Sequence, residues 1–207
     1  MKIGEVKDIK KVVIIGSIIL ASLIGLSFIN YRKKKIALVS KMFEGIEEVG
    51  NNRGFADSTF EDMMRNVGWK DGEAWCSYFA KLVYIKALPS LEQDINKWFS
   101  GSSQLTYQNV ANGKSDYFEI VQDGKPKKGD VVIWQNIGDS SKGHVGIVVK
   151  TYLGNPYKFD AIEGNTNFQP DFSGQGQLVD IVPHETKVNE SDSVYQSKIL
   201  KGFIRLK

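Results

Sequence analysis

Eighteen consecutive residues without a charge, "VVIIGSIILASLIGLSFI" at positions 12–29, limit what this chain can become before any other feature is read. As a helix rising ~1.5 Å per residue they reach roughly 27 Å, about the hydrocarbon thickness of a bilayer. Being apolar all round, the run reads as a span and not as a helix of a soluble core. Lys10 and Lys11 precede it and "NYRKKK" (30–35) follows, with Tyr31 placed for the interface. A cleavable signal would be shorter and would end in a small-x-small site, not in a basic cluster. The spacing predicts an uncleaved transmembrane anchor over 12–30. A short tail at 1–11 precedes it, and a basic juxtamembrane or stalk helix at 31–44 follows. Charge does not orient the span, because Lys2, Lys7, Lys10 and Lys11 balance Arg32, Lys33, Lys34 and Lys35. Ser17, Ala21 and Gly25 form a small-residue face that allows pairing into a homodimer.

The remaining length suits one ordinary core: 207 residues in all, 42% hydrophobic. Lys and Arg number 27 against 24 Asp and Glu, so the pI of 8.8 is mild. No basic stripe with interleaved aromatics marks a nucleic-acid surface. With two histidines, His144 and His184, and no Cys/His cluster, no metal or other cofactor is expected.

Helical spacing dominates the first half. Ile36, Val39, Met42, Phe43 and Ile46 share a face in 36–50, and "GNNRG" (50–54) ends that segment. An amphipathic helix covers 57–68, with Asp57 or Ser58 able to cap its start. Another helix follows Asp71, Gly72 and Glu73, with Trp75, Phe79, Leu82, Val83 and Lys86 on one side. Residues 88–125 read as a short helix and loops. After Pro126, the β-rich runs 129–135, 144–151, 158–164, 176–183 and 201–207 alternate with turn clusters. Helices followed by a meander of antiparallel strands predict an α+β domain, N-terminal helices packed on a small antiparallel sheet, over 45–207.

Cys76 is the only cysteine and cannot form an internal disulfide. It falls in the first turn of its helix, where free backbone N–H groups and the positive dipole end favour a thiolate. A nucleophile also needs a base. His144, 68 residues on, opens the strand "HVGIVVKT". If that strand and 158–164 form a hairpin centred between Leu153 and Gly154, His144 and Glu163 are equidistant from the turn and pair directly. Asn165 then points to the same face, and if Pro156 shifts the register by one or two, Glu163 or Asn165 still stays within reach of the ring. A lone cysteine in an apolar helix is ordinarily a small buried hydrophobe, and a histidine at a strand end is ordinarily a surface residue. Thiol, imidazole and acid placed independently in this way favour catalysis. Trp75 and Trp134 are candidate substrate-binding aromatics. His184, in the polar turn "VPHETK", reads as exposed.

"WCSYFAKLVY", "KPKKGDVVIW", "GHVGIVV" and "AIEGNTN", in that order, resemble the CHAP (cysteine, histidine-dependent amidohydrolase/peptidase) domains of the NlpC-like, papain-like peptidoglycan hydrolases. The resemblance extends over roughly 45–207 and is poor over 88–125 and 166–195. It implies a papain-like CHAP fold, with Cys76 as nucleophile, His144 as base and then acid, Glu163 as orienting acid and Asn165 as a further polar member. Relatives that bind calcium carry paired aspartates before the cysteine. "GWKDGEAWC" offers only Asp71 and Glu73, so no metal is carried over. The implied partner is peptidoglycan, cleaved through a thioester. That places 36–207 outside the cytoplasmic membrane, of a bacterium or in a phage, and 1–11 inside. Two other readings stay open: a catalytically silent wall-binding protein, and a papain-like peptidase acting on another amide.

Overall fold

A computed structural model describes residues 27–166, 177–185, 194–195 and 198–207, together with Gly25. Most of the expected anchor, including Ser17 and Ala21, lies outside the described residues. Among the described residues no helix is long and apolar enough to cross a membrane. Lys33–Lys207 forms a compact unit, divided from the preceding residues at Arg32.

This unit opens with helix α1 (33–41). The expected stalk is not a free one from Lys33 onward: Ile36, Ala37 and Phe43 are buried in the main hydrophobic core. Helix α1 also ends earlier than the periodicity predicted. Gly45 takes a φ of 83° and donates its N–H to Val179 O, turning the chain into strand β1 (Glu48–Val49). Met42 falls in that turn, 77% exposed, not on the buried face. "GNNRG" closes a hairpin between β1 and β2 (Gly54–Phe55), with Gly50, Asn51 and Asn52 all at positive φ. Helix α2 (Ser58–Asn66) starts where Asp57 accepts the Phe60 N–H, and it buries Phe60 and Met64.

Helix α3 (Cys76–Ala87) is the hub of the fold. It was expected to bury one side, but Cys76, Ser77, Phe79, Ala80, Leu82, Val83, Tyr84 and Ala87 are all buried. Both helices and strands of the sheet pack against it. After a 3₁₀ turn at Pro89–Leu91 come α4 (Glu92–Trp98) and α5 (Ser103–Ala111), two short helices where one was expected.

The sheet comprises β3 (Phe118–Val121), β4 (Val131–Asn136), β5 (Gly143–Tyr152), β6 (Asn155–Thr166), β7 (Leu178–Glu185), β8 (Val194–Tyr195) and β9 (Lys198–Leu206). Strands β4 to β7 form the predicted antiparallel meander. The closing strand β9 does not extend it. It returns to lie between β3 and β4, giving the order β3-β9-β4-β5-β6-β7, with β8 paired to β9. Side chains alternate across the sheet. Val145, Ile147, Val149 and Ile162 join the main core, while Val148, Phe159 and Ala161 join a second cluster with Val132, Trp134 and Phe203.

An ion pair locks the corner where β4 begins. Arg205 donates from Nε and Nη2 to the Asp130 carboxylate at 2.6–3.1 Å and from Nη2 to Lys125 O at 2.8 Å. The Asp130 side chain is fully buried. The "KPKKGD" motif is thus a structural corner remote from the thiol.

Candidate active site

Cys76 is the first residue of α3, preceded by Trp75 in a non-helical conformation without a side-chain cap. The first N–H groups of the helix consequently have no partner within it. Although only 6% exposed, Cys76 lines an open cleft of about 300 Å³. Ala74, Gly101, Ser102, Asn136, Lys142 and Gly143 line it too.

The imidazole of His144 has the Cys76 thiol as a close electrostatic neighbour. Its Nε2 lies 2.8 Å from Glu163 Oε2, which leaves Nδ1 as the ring nitrogen toward sulfur. Cys76, His144 and Glu163, far apart in the chain, are thus brought together. The route differs from the predicted one. Leu153 and Gly154 do form a two-residue turn, with Tyr152 opposite Asn155. An uninterrupted ladder from that pair would set Ile147 opposite Asp160, but irregularities at Thr151/Tyr152 and Val148/Lys150 set it opposite Ile162. Glu163 therefore stands across from Gly146, where an added Cβ would lie 2.9 Å from Glu163 Cγ. The carboxylate reaches His144 diagonally, a distance a glutamate can bridge.

Glu163 is fully buried. Burial alone would lift its carboxyl, but the charge and hydrogen bond of His144, with a bond from His184, hold it below the usual carboxylate range. Burial would likewise lower the His144 ring. The Glu163 charge, the neighbouring Cys76 and the Glu163 bond outweigh that and push it up to about 10. An ionised carboxylate only accepts, so Nε2 of His144 carries hydrogen and donates.

Three expectations are corrected. Asn165 does not turn toward the imidazole: it adopts a φ of 60° and donates from Nδ2 to Asn52 Oδ1 at 2.8 Å. A left-handed residue breaks the period-2 alternation on which that expectation rested. Its bond ties β6 to the "GNNRG" loop, whose Asn52 carbonyl also accepts from Gly72 N–H ahead of the cysteine. Trp75 offers no surface to a substrate; it is fully buried, and its indole donates to Glu48 Oε2 at 2.7 Å. Trp134 is 2% exposed and stacks on His144, with ring centroids 5.9 Å apart and planes at 29°.

His184 is the residue that sequence reasoning missed. It is 9% exposed, and its Nε2 lies 2.5 Å from the second oxygen of Glu163. The sequence pattern predicts a strand ending at Pro183, yet β7 runs on to Glu185 because an edge strand tolerates a proline. The alternation was present: Val182 and His184 are buried, Pro183 and Glu185 exposed.

Gly164 fixes how closely β6 approaches α3. A Cβ there would lie 2.5 Å from Trp75 Cζ3 and 2.9 Å from Phe79 Cβ. Gly164→Ala should cost about 1–3 kcal/mol by overpacking and should lower activity by displacing the residue next to Cys76. Thermal unfolding and turnover, measured together, check this.

No curated protein matches the chain. The family model for the CHAP domain matches residues 68–165, a span that contains Cys76, His144, Glu163 and Asn165 and stops before His184. CHAP domains are in general hydrolases of the amidase or peptidase type that act on cell-wall peptidoglycan. The helix-on-sheet architecture agrees with that match, and over residues 68–165 the chain is similar to the CHAP domains.

Proposed function

We propose that the protein hydrolyses an amide bond of peptidoglycan, either between sugar and peptide or within the peptide, with Cys76 as nucleophile. The observation that carries this reading is the imidazole bonded to the Glu163 carboxylate and set beside the Cys76 thiol, which lines an open cleft. In the resting pair Nδ1 of His144 already holds the proton that Cys76 gives up, and the sulfur attacks the amide carbonyl carbon as a thiolate. Backbone N–H groups at the start of α3 hold the oxyanion that forms. As the C–N bond breaks, Nδ1 returns the proton to the departing amine and a thioester remains. His144 then takes a proton from water, the hydroxide attacks the thioester, and the acid product leaves with the thiolate regenerated. Glu163 holds the ring through Nε2 and stabilises its charged form throughout.

The uncharged run 12–29 between basic flanks supports anchorage in a membrane, with residues 36–207 on the wall side, in a bacterium or in a phage particle. Release of new amino groups from purified peptidoglycan, with mass spectrometry of the fragments, tests the activity and names the bond. Wall binding without release of amines would overturn it.

Glu163→Gln removes the charge that holds the His144 proton. Turnover should fall on the order of 10²–10⁴-fold. The alkaline limb of kcat/KM should also move down from about 10 toward the ordinary histidine value of 6.5, because an imidazolium without its anion gives up its proton more readily. A pH–rate profile of the variant reads both effects.

A further inference from the structure

We infer that His184 is a positioning residue of this site, fixing the Glu163 carboxylate in the one rotation that serves His144. The inference rests on the hydrolase reading above and lies outside the span the family match covers.

Glu163 is poorly fixed by its own strand. It stands opposite Gly146, which has no side chain to confine it, and it must lean diagonally to reach His144. The terminal torsion of a glutamate is soft and broadly two-fold, so nothing local determines where each oxygen points. Both oxygens are buried, and a buried charged oxygen without a donor is costly. The structure supplies a donor for each: His144 Nε2 at Oε2, 2.8 Å, and His184 Nε2 at Oε1, 2.5 Å. Two donors from different strands leave the carboxylate one orientation.

His184 is itself held. Its ring lies 4.7 Å from the Trp134 centroid and 5.2 Å, at 29°, from that of Phe159. Trp134 also stacks on His144, so one indole sets both imidazoles around the shared carboxylate. His184 pairs across the ladder with Phe159, four positions from Glu163 along β6. A histidine that only filled the second core would need no such reach toward a carboxylate already bonded to the base.

The test uses the full-length chain on soluble peptidoglycan fragments and compares His184→Gln, His184→Asn and His184→Phe with Cys76→Ala. The Phe and Asn variants, one without a donor and one too short to reach Oε1, should lose about 10²-fold in kcat with KM nearly unchanged. The Gln variant, whose amide nitrogen can stand where Nε2 stood, should recover most of that loss. Should the Phe variant not fold, the Asn variant decides alone, with its unfolding midpoint as control. If kcat survives in His184→Asn, if the loss lies in KM, or if Gln rescues nothing, the inference is overturned while an inactive Cys76→Ala leaves the hydrolase reading intact. Activity that survives Cys76→Ala overturns both.

Discussion

Cys76→Ala should eliminate the proposed amine release from peptidoglycan, a loss on the order of 10⁶ in kcat if nucleophile and base act as one unit. The same unit makes a sharper forecast. His144→Ala should be nearly as damaging, and the double variant no worse than either single one, because each step needs both groups. Additive losses would mean that thiol and imidazole act separately and would sink the mechanism. Cys76→Ser should also be inactive, since a hydroxyl is a much weaker acid than a thiol. None of these changes should unfold the protein. Ser77, which follows the cysteine, keeps its own bond to Ser100 O at 2.5 Å, and the rest of the buried face of α3 is untouched. Thermal unfolding separates lost chemistry from lost fold.

The largest effect on stability is expected far from the thiol, at Asp130. Asp130→Ala leaves the Arg205 guanidinium buried and without its anion, at a cost of about 3–5 kcal/mol. For a chain of this size that corresponds to a fall of about 6–20 °C in Tm. The intact pair is itself a modest contributor. Burial lifts the Asp130 carboxyl above its ordinary range despite the Arg205 bonds, whereas Arg205 is held more firmly protonated than usual. Both values rise, which disfavours the ionised acid but favours the charged guanidinium. The multiple bonds at 2.6–3.1 Å favour the ionised pair, with its attraction largely offset by the desolvation of the acid. Replacing both residues by apolar ones of similar size should therefore cost much less than Asp130→Ala alone, and urea unfolding of the three proteins measures that difference.

The catalytic corner has its own pH dependence of stability. His144, raised above its unfolded value of 6.5, contributes stability that is complete below that value and is lost as pH rises through about 10. Glu163, lowered from 4.5, contributes stability that is present above that value and is lost as pH falls through its folded pKa. The site should therefore be held most firmly at mildly acidic pH, between the unfolded values of 4.5 and 6.5, and should loosen steadily as pH rises toward about 10.

Much of the molecule was legible in the chain. The Asp57 cap, the placement of Cys76 at a helix start and the five β-rich runs all reappear, because caps and two-residue alternation act over a few neighbours. Helix α1 was overextended because a left-handed glycine overrode the periodicity around it. Trp75 and Trp134 were misplaced because an aromatic beside a reactive residue looks the same in sequence whether it faces solvent or the core.

The residues that meet at the cleft were determined by the sequence itself: a thiol behind a helix start, an imidazole opening a strand and an acid on the strand that follows. Only the tertiary structure decided how the acid is aimed. Irregularities in the β5–β6 ladder carry Glu163 from the position opposite His144 to the one opposite Gly146, and an edge strand continuing past Pro183 brings His184 to its other oxygen. Such shifts depend on how a twisted sheet closes on its core, a property of strands far apart in the chain, which no local pattern encodes.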